Sequence, residues 1–182
     1  MVLFQKNTHN FKHDFETATL AYFNRYPNPF ASHVLSTDTI EKFIDEQGRL
    51  HQTKLIWKTG RLPKWVKPFL GKISRSLIIE KSIVDPVNKI MNTYTSNLDH
   101  TSIIRIEEFT KYQYDSDKNI TKSNCTVKFS SGFKGFGVKD RIEKWSYSKF
   151  TENLNRSREG LKFVMDGLRE RLNPANRLPL PN

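Results

Sequence analysis

Two lysines four residues apart, Lys54 and Lys58, have the type and spacing that suit the binding of an anion. The sequence HQTKLIWK at 51–58 alternates as a strand does. Lys54, Ile56 and Lys58 fall on one face of that strand. The two ammonium groups are therefore expected to point in the same direction.

A second cationic stripe lies near the C-terminus, on a predicted helix. One face of that helix carries, at spacings of three or four, Ile142, Trp145, Lys149, Asn153, Arg156, Gly160 and Val164. Its ends are apolar and its middle is polar. An unpaired buried charge is costly, so the stripe favours an anion between helix and sheet. A helix rolled so that the stripe is partly solvated explains the pattern as well.

The segment between Glu46 and Glu80 contains eight basic residues and no acidic one. Two prolines in its centre, RLPKWVKPFL at 61–70, oppose a helix or a central strand and predict a mobile loop. At an anionic membrane, tryptophan can lie at headgroup level, apolar residues can insert into the bilayer and cations can bind the anionic lipids. The segment therefore suits contact with such a membrane. The residues predicted to make that contact are Arg61, Leu62, Lys64, Trp65, Lys67, Phe69 and Leu70. Two alternatives remain: Trp65 and Phe69 cover the core, or they stack on single-stranded nucleic acid.

The composition is that of one globular domain with an anionic partner. The chain has 182 residues, a net charge of +11 and 36% hydrophobic residues, which argues against intrinsic disorder and a polytopic membrane protein. Charge alone does not distinguish nucleic acid, a membrane surface and an anionic small molecule.

The sequence offers little for catalysis. Cys125 is the single cysteine, which excludes an internal disulfide and a multi-cysteine zinc site. There is no G-x-S-x-G motif and no evident nucleophile with its base. We therefore expect neither an enzyme nor a cofactor.

The elements that must position the cations begin with a short strand, Val2 to Phe4, and a helix capped by Asp14. That helix is expected to carry Tyr22 and Tyr26, to hold Arg25 near its C-terminal end and to stop at Pro27.

Further along, the pattern between Val34 and Phe129 predicts an antiparallel meander of six strands. In one of them Glu108 breaks an otherwise apolar alternation. A long helix should start near Asp140 and end before Asn173, leaving residues 173–182 as a proline-containing tail. The fold class is α+β.

Four short motifs occur in an order that resembles one family over nearly the whole chain, residues 1–172. They are Arg25-Tyr26-Pro27-Asn28-Pro29 with Ser32-His33-Val34, Leu62-Pro63-Lys64-Trp65, Asn97-Leu98-Asp99-His100, and Glu143-Lys144-Trp145-Ser146. The sequence is similar to the PRELI family, in particular its fungal phosphatidic-acid-transferring branch. The resemblance implies a START-like helix-grip fold, in which an antiparallel sheet wraps the long C-terminal helix and encloses a lipid cavity.

The resemblance also implies a role and a set of partners. Such a protein carries phosphatidic acid between the outer and inner mitochondrial membranes, across the intermembrane space, and so feeds cardiolipin synthesis. It is held stable by a small helical protein with twin cysteine motifs, acts peripherally on anionic membranes and is not expected to bind nucleic acid.

The family's headgroup-contacting positions fall on Arg25, His33, Lys58, Lys149, Asn153 and Arg156, and Lys54 joins them because it shares the face of Lys58. The family's lid falls on about residues 61–73. Arginine at 156, where the family leads us to expect lysine, keeps the charge but changes the donor geometry. The leading hypothesis is a lipid shuttle. The alternatives are a basic membrane-surface adaptor and a nucleic-acid-binding module, neither of which extracts lipid.

Overall fold

The computed structural model describes residues 2–59, 75–99, 101, 104–131 and 138–172. Within the last range, the side chains of 138–147, 149, 150 and 172 are outside the description. The predicted lid and the predicted tail at 173–182 also lie outside the described residues, so both stay predictions.

In the described part of the chain, seven strands form one antiparallel sheet in the order β1-β7-β6-β5-β4-β3-β2. The strands are β1 (Val2–Phe11), β2 (Val34–Ile44), β3 (Leu50–Thr59), β4 (Arg75–Asp85), β5 (Ile90–Asn97), β6 (Arg105–Asp115) and β7 (Ile120–Ser130). Strands β2 to β7 each pair with the next, which confirms the predicted six-strand meander. Strand β1 then closes the other edge against β7.

The first strand is longer than the sequence predicts. It runs from Val2 to Phe11 and pairs with β7 along its full length, from Val2 opposite Ser130 to Phe11 opposite Thr121. Polar residues at inward positions, such as Gln5, hide the alternation that would have revealed the strand.

Helix α1 (Phe15–Phe23) begins as predicted and ends early. The Asp14 carboxylate accepts from the Thr17 backbone N–H at 2.7 Å, which is the expected N-cap. The helix ends at Phe23 rather than at Pro27, and the Asn24 N–H closes it on the Leu20 carbonyl at 3.1 Å. The prediction that Tyr26 lies on this helix is therefore wrong. A 3-10 turn, Pro29–Ala31, follows.

Helix α2 (Val138–Leu172) ends where predicted, but it presents a different face to the sheet. Leu161 and Met165 are buried, and Leu154 and Leu168 pack beside them. Asn153 and Arg156 are exposed. Gly160 of the predicted stripe is buried and Val164 packs against the core, so the partly solvated alternative holds for Asn153 and Arg156.

The described apolar side chains form two core clusters. The larger joins α1, α2 and one end of the sheet through Phe15, Tyr22, Met91 and Met165. The smaller lies on β7 around Val127 and Phe129, with Leu3, Ile106 and Leu154 against it. No helix in the described residues is long and apolar enough to cross a membrane.

Candidate functional site

Two rows of mostly polar residues cross the inner face of the sheet, the face that carries Met91 and Val127, and meet the smaller apolar cluster at β7. Read across the paired strands, one row is Lys54, Glu80, Thr95, Glu108, Val127 and Gln5. The next is Gln52, Ser82, Thr93, Thr110, Cys125 and Asn7. Two rows of this kind are costly in a dry core, because buried polar groups need hydrogen-bond partners. We call them the polar interior.

Some buried polar groups in this region are left without a hydrogen-bond partner by the residues that the structure describes. Among the described residues, both amide atoms of Gln5, the Oε1 of Gln52 and the Nδ1 of His33 are buried without one. Gln5 and Gln52 belong to the polar interior, so hydrogen-bonding capacity is left over there for another molecule.

Arg25 lies inside the protein and is held on several sides. Its Nη2 donates to the Glu80 carboxylate, and its Nη1 donates to the Tyr22 carbonyl at 2.6 Å. Its guanidinium carbon lies 4.0 Å from the centre of the Tyr22 ring and 4.6 Å from that of Tyr26. Burial is the largest influence and opposes the charged form, but Glu80, Tyr22 and Tyr26 together outweigh it and raise the pKa of Arg25. The arginine is a permanent cation with a fixed position.

Lys54 and Lys58 share the inner face of β3, as predicted, with buried Ile56 between them. The Lys54 Nζ donates to the Phe23 carbonyl at 3.2 Å, which ties β3 to the end of α1. Burial lowers the pKa of Lys54, and the neighbouring Arg25 adds to this effect. Lys58 is half-buried and contributes to the electrostatic surroundings of both Tyr26 and His33.

His33 lies between cations at the start of β2. Its backbone carbonyl accepts from the Thr59 N–H at 2.7 Å, which fixes it beside the end of β3. Burial lowers the pKa of its imidazole, and the charges of Lys58 and Arg156 lower it further. A neutral histidine with a free buried nitrogen, in a positive field, suits an anionic ligand.

The side chain that helix α2 directs toward the sheet differs from those that the sequence predicts. Arg156 is exposed, with its Nη1 4.0 Å from the Glu152 carboxylate, although its charge still influences His33. The side chain of Lys149 is outside the description, so its role stays a prediction. Arg158 instead points toward the sheet, where its Nη2 donates to the Asn7 Oδ1 at 2.5 Å, and burial lowers its pKa.

Three charged residues of this region were not assigned to the site from the sequence: Glu80, Glu108 and Arg158. The break that Glu108 makes in the alternation of β6 was the one available signal. Glu80 could be found only from strand register, which places it opposite Lys54. Arg158 follows from the helix phase set by Leu154, Leu161 and Met165.

The membrane-contact residues form a group that the structure does not test. Arg61, Leu62, Lys64, Trp65, Lys67, Phe69 and Leu70 all lie outside the described residues.

An antiparallel sheet with a long C-terminal helix on its inner face defines a START-like helix-grip domain, and the expected α+β fold class is confirmed. A solved structure from Thermus thermophilus matches with a TM-score of 0.59 at 14% identity, over 91% of this chain and 99% of the other. The Zhui aromatase/cyclase from Streptomyces matches with a TM-score of 0.56 at 10% identity, over 98% and 100%. At such identities the likeness concerns the fold alone.

The family follows from the sequence comparisons. The model of the PRELI-like family matches residues 16–171. The Saccharomyces cerevisiae protein UPS1, mitochondrial, is 52% identical over 96% of this chain and 99% of its own length. The human PRELI domain-containing protein 1, mitochondrial, is 30% identical over 80% of this chain and 67% of its own length. The chain belongs to the PRELI-like family.

Proposed function

We propose that this protein is a mitochondrial phospholipid shuttle that takes one phosphatidic acid molecule into its interior and carries it between membranes. The observation that carries the proposal is the polar interior, where cations and polar atoms without a partner in the described part of the chain lie beside apolar clusters. A headgroup would bind at the polar rows, and acyl chains would lie against the neighbouring apolar surfaces. The lack of a recognisable catalytic arrangement in the sequence supports a carrier rather than an enzyme.

Phosphatidic acid suits this site because of its charge. A phosphomonoester carries about −1.5 to −2 near neutral pH, and its oxygens accept charge-assisted hydrogen bonds. Lys58 and His33 are placed to receive it first, since Lys58 is half-buried and the His33 Nδ1 has no partner in the described part of the chain. Arg25 already serves Tyr22 and Glu80, but a guanidinium has five N–H donors and keeps some for a ligand.

The place of action and the partners are part of the proposal. The yeast and human relatives are named mitochondrial. We place the protein in the intermembrane space, peripherally on both membranes, where delivery of phosphatidic acid would support cardiolipin synthesis. A small helical protein with twin cysteine motifs is the proposed stabilising partner.

Transfer between vesicles tests the proposal with a matched pair of variants. Lys58→Glu reverses a charge on the inner face, whereas Lys81→Glu makes the same change at an exposed position of neighbouring β4. We expect Lys58→Glu to lower phosphatidic acid transfer at least tenfold, because a carboxylate would repel the phosphate, and Lys81→Glu to transfer normally. Equal transfer by the two variants would contradict the assignment of Lys58.

Native mass spectrometry separates a carrier from a surface adaptor. After incubation with vesicles containing phosphatidic acid, the purified protein should hold one lipid per chain. A protein that sediments with these vesicles but never retains lipid would be an adaptor, and the shuttle would be rejected. A salt-sensitive complex with an oligonucleotide, again without lipid, would favour the nucleic-acid module.

A further inference from the structure

Glu108 is a carboxyl group of the polar interior that the proposed function has not used. It lies on the inner face of β6, two strands from Glu80 in the same row. The Thr110 hydroxyl donates to its Oε1 at 3.4 Å. No cation in the described residues lies within ion-pair distance of it, whereas Glu80 has Arg25 and the outward-facing Glu107 has Arg105 and Lys128.

Glu108 also keeps part of its surface accessible although protein surrounds it. The accessible part of this inner-face side chain is open to a molecule bound between the sheet and the helix.

The charged and titratable groups around Glu108 come from five directions. Among the described residues they are Lys58 on β3, Glu80 on β4, Arg25 after α1, Cys125 on β7 and Arg158 on α2, together with Tyr112 on β6 itself. Burial is the largest influence and raises the pKa of Glu108, and Glu80 adds to the rise while Lys58 and Arg25 oppose it. Glu80, about 10 Å away across two strand spacings, already holds Arg25. These surroundings shift Glu108 toward its neutral acid, the form that has an O–H to donate.

Building on the proposed function, we propose that Glu108 is a specificity-determining residue whose protonated carboxyl group donates a hydrogen bond to a phosphate oxygen of the lipid and so favours phosphomonoester over phosphodiester headgroups. The charges near the headgroup explain the preference. The cations around Glu108, with Arg158 among them, outnumber the carboxylate of Glu80, so the site keeps a surplus of positive charge when Glu108 is uncharged. A phosphomonoester with two charges offsets more of that surplus than a phosphodiester with a single charge.

Variants that separate hydrogen bonding from charge test this assignment. Glu108→Gln keeps a neutral donor, Glu108→Leu removes it, and Glu107→Leu makes the matched change at the neighbouring, outward-facing position. The measurement is the ratio of phosphatidic acid to phosphatidylglycerol transfer between vesicles, which does not depend on the amount of folded protein. We expect the Gln variant and the Glu107→Leu control to keep the ratio, and the Leu variant at 108 to lose about tenfold, as for one hydrogen bond to a charged group.

Three outcomes would overturn the proposal, and each is distinct. A higher ratio in both Glu108 variants would show that the residue is ionised and repels phosphate. An unchanged ratio in Glu108→Leu would show that the residue does not select the headgroup. Absence of any lipid transfer by the unaltered protein would reject the proposed function itself.

Discussion

At the scale of single residues, the ion pair of Arg25 and Glu80 combines a structural role with the proposed binding role. The side chains are only 10% and 3% exposed, and the arginine is stacked between two tyrosines. An arginine enclosed in this way cannot move to water when its partner is lost. Its position is therefore fixed before any ligand arrives, which lowers the entropic cost of binding.

Glu80→Gln should destabilise the protein by about 3–5 kcal/mol, because it leaves a buried guanidinium without its counterion. Glu107→Gln is the matched control, since its partners Arg105 and Lys128 are 51% and 37% exposed and can be hydrated. The control should lose at most about 1 kcal/mol. Urea unfolding of the two variants measures both values, and equal losses would show that burial of the pair is not decisive.

At the scale of elements, the position of helix α2 depends on a close approach at Gly160. A Cβ there would lie 2.9 Å from the Asn28 Oδ1 and 3.0 Å from its Nδ2. The same amide donates to the Arg25 carbonyl at 2.5 Å and accepts from the Phe30 N–H at 2.8 Å. Gly160 thereby lets the segment that carries Arg25 rest directly on the helix.

Two glycine substitutions on this helix should have different effects. Gly167→Ala meets no atom within 4 Å and should stabilise the protein by about 0.5–1 kcal/mol through helix propensity. Gly160→Ala gains the same propensity but displaces Asn28, so the gain should be cancelled or reversed. Thermal unfolding measures the difference, and equal stabilisation by both would show that Asn28 yields without cost.

The elements that follow local rules were predictable from the sequence, and those that depend on distant contacts were not. The Asp14 cap, the turns of the meander and the shared face of Lys54 and Lys58 rest on neighbouring residues alone. The phase of α2 does not, because polar residues occupy several of its sides and Asn28 selects one of them. The pairing of Arg25 with Glu80 needs the register between strands, which no short segment encodes.

At the scale of the whole molecule, titration should make the protein less stable in acid. Hydrogen bonds and cations hold the pKa values of several carboxyls below their ordinary range: Asp14, Asp45, Asp85, Glu107 and Asp166. Burial lowers the pKa of His9 and His33 as well. Each of these groups binds a proton more readily in the unfolded chain than in the folded protein, so the free energy of unfolding falls as the pH is lowered.

The thermal midpoint should therefore decline gently below pH 6.5, where the histidines of the unfolded chain become charged, and steeply below pH 4.5. Glu108 acts in the opposite sense, since a raised pKa contributes stability that is lost as the pH rises. Glu108→Gln should remove the contribution of this residue to the pH dependence of stability, including at neutral pH. A midpoint that stays constant between pH 7 and pH 3.5 would contradict these assignments.

The pairing of β1 with β7 joins the first and the last strand in the sequence, with Val2 opposite Ser130. During synthesis, the first strand to leave the ribosome has no partner until the last strand has emerged. Contacts so distant along the chain form slowly, because a long loop must close before they contribute. The first strand should thus stay unpaired and accessible until β7 has been made, whereas β2 to β6 can pair with strands that are their neighbours in the sequence.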